Sequence, residues 1–62
     1  MIKKTVKELE RGDEWIIPGW AFPVRITQIT LAPKGMIQVH YNYMQSNRTR
    51  RLRPDQVINV LA

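Results

Sequence analysis

The sequence has no cysteine and only one histidine, His40, among its 62 residues. Without cysteine there can be no disulfide to reinforce the fold and no thiolate to hold zinc. A single imidazole cannot form a histidine-rich metal site, and no aspartate or second histidine lies near His40 in sequence to build a catalytic triad. We therefore expect no metal, no cofactor and no enzymatic activity.

Long apolar runs are also absent. A membrane-spanning helix needs about 20 apolar residues in succession, and no segment approaches this length. The basic N-terminal residues 1–7 lack the apolar core and the cleavage site of a signal peptide. We therefore expect a cytoplasmic protein with no membrane partner, associated with the nucleoid if its ligand is DNA.

Acidic residues are scarce beyond position 14. The formal net charge is +5, yet residues 1–14 are neutral overall, and Asp55 alone opposes the cations that follow. Those cations are Arg25, Lys34, Arg48, Arg50, Arg51 and Arg53. A focused positive patch raises the local potential and speeds the capture of polyanions. The charge distribution therefore favours an acidic partner.

Four of the six arginines fall within six consecutive positions. The planar, permanently charged guanidinium matches phosphate and carboxylate better than any other side chain does. Strand alternation would place Arg48, Arg50 and Leu52 on one face and Arg51 and Arg53 on the other. Because Leu52 is expected to point into the core, Arg51 and Arg53 are the first candidates for an outward binding patch.

The other two arginines of this run have two possible roles. Arg48 and Arg50 would lie at the rim of the fold, or would pair across strands with Glu14 or Asp13. Arg25 is a further candidate contact. The alternative for the whole run is an ordinary solvated strand whose charges prevent edge-to-edge aggregation.

Three uncharged candidates accompany the arginines. Trp20 lies in a loop, where it either folds back over the small core or is exposed to stack on bases or anchor a protein interface. Gln38 and His40 share one face of a strand and could hydrogen-bond bases or phosphates. That polar row could equally be a plain solvent-facing surface.

Five strand-like runs follow the N-terminal segment. They are residues 14–17, 22–31, 36–43, 48–53 and 57–61. A switch in apolar parity near Thr27 and Gln28 predicts a β-bulge or sharp bend. Turn signals lie between the runs, including one at 33–35 and one at 45–47. Five short strands in so small a chain predict an all-β, closed or nearly closed barrel.

Two short turns complete the prediction. The segment 5–9 is expected to form one helical turn, with Thr5 as N-cap and Glu8 completing a capping box. Pro54 should break the fourth strand and start a 3₁₀ turn before the last one. The chain thus divides into an N-terminal helical turn or arm, residues 1–11, and a barrel, residues 12–61, within a single domain of residues 1–62.

Three stretches resemble the SH3-like small β-barrels, a group that includes Tudor, KOW and chromo-like modules. They are Gly12–Trp15 entering the first strand, Gly35–Val39 in the central hairpin and Leu52–Ile58 near the end. The resemblance covers residues 12–61 as architecture. It implies a five-stranded SH3-like barrel, and it implies binding of nucleic acid or of proteins, since such barrels serve both.

Three functions follow from these features. The first hypothesis is a non-enzymatic nucleic-acid-binding module that makes electrostatic, largely sequence-independent contacts, with duplex DNA as the favoured ligand and RNA next. The second is a protein-interaction module or small inhibitor, of the kind that phages and mobile elements carry, docking an acidic partner surface through Trp20 and the arginine run. An enzyme comes third: very small SH3-like reductases exist, but their active-site motif is missing here. A homodimer is compatible with all three.

Overall fold

The computed structural model describes residues 1–61 as an all-β fold, a sheet of six antiparallel strands. The strands are β1 (Ile2–Thr5), β2 (Glu14–Ile16), β3 (Val24–Leu31), β4 (Ile37–Tyr43), β5 (Ser46–Leu52) and β6 (Val57–Leu61). Their order across the sheet is β1-β6-β2-β3-β4-β5. The predicted all-β class is therefore confirmed.

The architecture differs from a five-stranded barrel in two respects. The segment expected to be an arm contains a sixth strand, because β1 pairs with β6 from Ile2 opposite Val60 to Thr5 opposite Val57. Within residues 1–61 the sheet also stays open, with β1 and β5 as its two edges. The second difference matters for function, because it leaves the arginine-rich strand unpaired on one side.

The expected bulge lies in β3. Pairing with β4 shifts register between Ile26 and Gln28, so Thr27 is the extra residue. The shift lets apolar side chains on both sides of it face inward, since a one-residue slip exchanges the two faces of a strand. Bulges also increase local bending, which curves the sheet around its core.

One apolar cluster forms that core. It joins residues of β3, β4 and β5 to residues of β2, β6 and the N-terminal segment. Its members are Val6, Leu9, Trp15, Ile17, Val24, Ile26, Ile37, Val39, Tyr41, Leu52, Ile58 and Val60. The curved sheet thus buries a single inner face, and the inward position predicted for Leu52 is confirmed.

A three-residue 3₁₀ helix, Val6–Glu8, follows β1 as the capping pattern predicts. The Glu8 carboxylate accepts hydrogen bonds from the Thr5 hydroxyl (2.7 Å) and from the Thr5 backbone N–H (2.9 Å). These two bonds lower the pKa of Glu8 below its ordinary value. The helix places the fully buried Val6 over one end of the core.

The turns differ in detail from the sequence prediction. The segment before β6 is a single hydrogen-bonded turn, from Gln56 N–H to the Arg53 carbonyl at 3.2 Å, and not a 3₁₀ turn. The turn ends at Val57, which pairs with Thr5 of β1 as the first residue of β6. A 3₁₀ turn occurs instead at Pro33–Gly35. The β4–β5 turn lies at Met44 and Gln45, just before the expected 45–47, so β5 begins at Ser46.

No helix in residues 1–61 is long and apolar enough to cross a membrane.

Candidate nucleic-acid interface

The arginines lie on β5, an edge strand whose register with β4 decides where each one points. Arg48 is opposite Tyr41 and Arg50 is opposite Val39, both of them core residues, whereas Arg51 is opposite Gln38. Directly paired residues share a face of the sheet. Arg48 and Arg50 therefore lie on the inner face, and Arg51 lies on the outer face.

The inner-face arginines are held over aromatic rings. The guanidinium carbon of Arg48 is 5.4 Å from the centre of the Tyr43 ring. That of Arg50 is 5.5 Å from the Trp15 ring and 5.9 Å from the Trp20 ring. Such cation–π contacts contribute about 0.5–1 kcal/mol at exposed sites. Both arginines remain solvent-exposed, so their charges are positioned but still available to a ligand.

The rings beneath them form a connected cluster. Trp20 is 4.5 Å from Tyr43 and 6.1 Å from Tyr41, measured between ring centres, and Trp15 meets Tyr41 edge-on at 5.6 Å. Trp20 is half-buried and packs against the core. Trp20 therefore covers part of the core, and its remaining surface lies beside Arg50.

These contacts replace the acid pairing that the sequence left open for Arg48 and Arg50. Within residues 1–61, neither arginine lies within 4.0 Å of a carboxylate. The Asp13 carboxylate instead accepts from the Lys4 ammonium at 3.0 Å and from the Glu10 backbone N–H at 3.0 Å. Partial burial by itself would raise the pKa of Asp13. The two partners together lower it by more than burial raises it, so the pKa of Asp13 lies below its ordinary value.

The outer face carries a polar row beside Arg51. Arg51 Nε donates to Gln38 Oε1 at 3.4 Å, and the Nε2 of His40 lies 3.0 Å from the Thr30 hydroxyl. Arg25 continues this face, opposite Asn42 on one side. On the other side it is opposite Glu14 of β2. The row can donate and accept hydrogen bonds, but it has no aromatic platform.

Arg53 lies apart from the other three arginines. It follows the end of β5, in the turn that leads to β6. Its Nε is 4.0 Å from Asp55 Oδ1, and both side chains are largely exposed, at 71% and 83%. A pair this open and this long is weak. Arg53 therefore extends the positive edge beyond β5 and does not share a strand face with Arg51.

A cleft opens beside Arg50, where β5 passes the ends of β2 and β6 without pairing to them. Its volume is about 150 Å³. It is lined by Trp15, Ile16, Pro18, Arg50, Leu52, Gln56, Val57, Ile58 and Asn59. Sequence reasoning identified only Arg50 in this set as a site residue. Gln56 and Asn59 gave no sequence signal, because their position here depends on how the sheet curls.

A second, shallower recess of about 310 Å³ lies at Arg11, Gly12, Arg25, Ile26 and Thr27. Gly12 has a φ of 92°, a conformation that favours glycine, and its N–H donates to the Ile26 carbonyl at 2.8 Å. Two exposed arginines border this recess. Across residues 1–61, no three acidic or histidine side chains are grouped to hold a metal ion.

The chain matches no protein-family model, no curated protein and no solved structure at a significant level.

Proposed function

We propose that this protein is a nucleic-acid-binding module whose main contact is the arginine-rich edge strand β5. The observation that carries the proposal is the inner-face pair, Arg48 and Arg50, held over aromatic rings with no carboxylate within 4.0 Å among residues 1–61. An unpaired, exposed and positioned guanidinium suits phosphate recognition.

The charge distribution supports a polyanion as the ligand. Between Trp15 and Pro54 the chain has six cationic side chains and no acidic one. Two of the four acids near the N-terminus are engaged locally, Glu8 by Thr5 and Asp13 by Lys4. Arg48 and Arg50 on the inner face and Arg51 on the outer face make β5 positive on both sides. A phosphate chain that follows the inner face of β5 would meet Arg48 and Arg50 in succession.

Binding of this kind works mainly through the release of counterions from the phosphates. It weakens with salt and reads little sequence, because phosphate contacts carry no base information. Gln38 and His40 would add hydrogen bonds from the outer face to phosphates or sugars. The preference for duplex DNA drawn from the sequence stays a prediction, which titration with matched duplex and single strands decides.

A fold related to the SH3-like small barrels is part of the proposal. Support comes from the bulge at Thr27, which bends β3. Further support comes from the single core, which joins residues of β3, β4 and β5 to residues of β2 and β6. A likeness in fold says little about the function of this protein, because one fold hosts many unrelated functions.

A protein-interaction module is the second candidate, and the open edge of β5 favours it. An exposed sheet edge accepts an added strand from another chain, and an acidic segment would complement the arginines. The two aromatic residues expected to anchor such an interface are Trp20 and Phe22. Phe22 is 72% exposed in the same loop and is the better placed aromatic.

The test is a titration of paired variants with a fluorescent duplex and a single strand of the same sequence, at low and at physiological salt. We expect Arg48→Ala with Arg50→Ala to weaken binding about 10- to 100-fold, since charged hydrogen bonds contribute roughly 1.5–3 kcal/mol each and overlap in effect.

The matched control removes two cations from the opposite part of the chain. Lys3→Ala with Lys7→Ala has the same change in net charge but leaves β5 intact, and it should weaken binding less than threefold. Equal losses in both double variants would mean that net charge, and not the β5 site, drives binding. If the unmodified protein binds neither nucleic acid at low salt, the proposed function is wrong, and acidic peptides become the ligands to test.

A further inference from the structure

The cleft beside Arg50 has features that phosphate binding alone does not use. Its lining includes the indole of Trp15, the apolar side chain of Leu52 and two residues with amide groups, Gln56 and Asn59. A site for phosphate alone would need donors and no apolar surface. This combination matches a flat, partly apolar ring with a polar edge.

We propose that this cleft holds one unpaired nucleobase, and that the protein prefers pyrimidine-rich single strands. The inference rests on the proposed function and adds to it a ligand class and a second contact. The duplex preference drawn from the sequence would then be wrong for this face of the molecule.

The size of the cleft sets the first constraint. Its volume of about 150 Å³ equals that of an engineered protein cavity that accommodates one benzene ring. A single six-membered ring therefore fits, whereas the fused rings of a purine fill more space. A base within a duplex is stacked and paired, so it cannot enter without being extruded.

The chemistry of the lining sets the second constraint. Arg50 is held over the Trp15 ring on one side, and guanidinium planes are platforms on which unstacked bases stack. The side-chain amide of Gln56, in the turn before β6, offers both donors and an acceptor, as the edge of a pyrimidine requires. No carboxylate lines the cleft. A cationic ligand is therefore disfavoured, and an anionic nucleotide is not repelled.

The path of the backbone is consistent with this occupant. Arg48 lies on the same face of β5, two residues from Arg50, which is about 7 Å along a strand. It would meet the phosphate of a neighbouring nucleotide while the base occupies the cleft. Val57 also lines the cleft and is exposed, and the strand would leave past it.

Intrinsic fluorescence provides a direct readout, because the chain has two tryptophans and both contact Arg50. The protein is titrated with short homopolymers of thymidine, deoxycytidine and deoxyadenosine, and with a duplex of the same length. We expect tryptophan quenching and about 5- to 20-fold tighter binding for the two pyrimidine homopolymers, and little quenching with the duplex.

Arg50→Lys separates the base contact from simple charge. Lysine keeps the positive charge but lacks the planar fork, so single-strand affinity should fall about 5- to 10-fold while the salt dependence stays close to that of the unmodified protein. Arg11→Lys is the matched control, because Arg11 is exposed and lies outside β5, and it should change affinity less than twofold.

Gln56→Ala tests the amide edge, with Asn42→Ala on the outer face as its control. Loss of one hydrogen bond predicts about a 3- to 10-fold loss for pyrimidine strands only. A thermal melt verifies that each variant folds.

The outcomes separate the two proposals. Salt-sensitive binding with equal affinity for all strands and no effect of Arg50→Lys would overturn the base site and leave the phosphate-binding function standing. Binding of a glutamate-rich peptide, but of no oligonucleotide, would overturn both and favour an acidic protein partner.

Discussion

The arginines of this protein illustrate how one side chain can be fixed without an acidic partner. Arg50 contacts two indole rings and Arg48 contacts a phenol ring. A carboxylate partner would neutralise the charge, whereas an aromatic ring fixes the position of the guanidinium and leaves its outer edge free. Pre-positioning lowers the side-chain entropy lost when a ligand binds.

At the residue scale, Asp13 makes stability depend on pH. Its pKa is lowered in the folded protein, so its contribution is complete above the ordinary carboxyl value of about 4 and is lost as the pH falls through the folded value. We expect Asp13→Asn to lower the free energy of unfolding by about 1 kcal/mol at neutral pH. The difference from the unmodified protein should shrink towards zero in strong acid.

Urea unfolding at neutral pH and well below pH 4 measures this difference. Asp55→Asn is the control, because Asp55 is 83% exposed and its partner is 4.0 Å away, so its removal should have almost no effect. A deficit in Asp13→Asn that persists unchanged in acid would mean that the carboxylate charge is not what stabilises this site.

At the element scale, the β4–β5 turn decides which arginines face inward. Met44 and Gln45 have φ values of 50° and 66°, so both central residues of this two-residue turn are left-handed. Such turns favour Asn-Gly. We expect Met44→Asn with Gln45→Gly to raise the free energy of unfolding by about 1 kcal/mol, because left-handed backbone is costly for ordinary residues.

Chemical denaturation provides the measurement, and nucleic-acid affinity should not change, since the register of β5 is kept. Met44→Ala is a suitable control: the side chain is 80% exposed, and alanine retains the left-handed cost, so stability should change little. A destabilised double variant would argue against this turn geometry.

For strands β3 and β5, sequence patterns were sufficient to predict which way the side chains face. Alternation around Leu52 predicted the faces of Arg48, Arg50 and Arg51, and the parity switch predicted the bulge at Thr27, because both depend on neighbours along the chain. Strand β1 was missed, since Ile2–Thr5 contains one apolar residue, and that residue is exposed. Its strand conformation comes from pairing with β6, which is distant in sequence.

In the molecule as a whole, the cleft beside Arg50 and the open edge of β5 depend on which distant strands of the sheet pair. The cleft exists because β5 remains an edge and does not pair with β2 or β6. Local alternation does not determine whether two distant strands join, so neither the open edge nor the amide residues beside Arg50 could be inferred from the sequence. The stretch from Trp15 to Pro54, in contrast, is seen in the sequence to lack acidic residues, and its six cations give the molecule a positive electrostatic field.

That field leads to a prediction for the intact protein. If phosphates meet the four arginines at positions 48, 50, 51 and 53, about four counterions are released on a duplex. The logarithm of the binding constant should then fall with the logarithm of salt concentration at a slope of roughly −3 to −4. Removing Arg48 and Arg50 should bring the slope near −2, whereas Arg50→Lys should leave it unchanged. Affinities measured at four or more salt concentrations decide the point: a slope near zero would show that the positive edge is not a phosphate site.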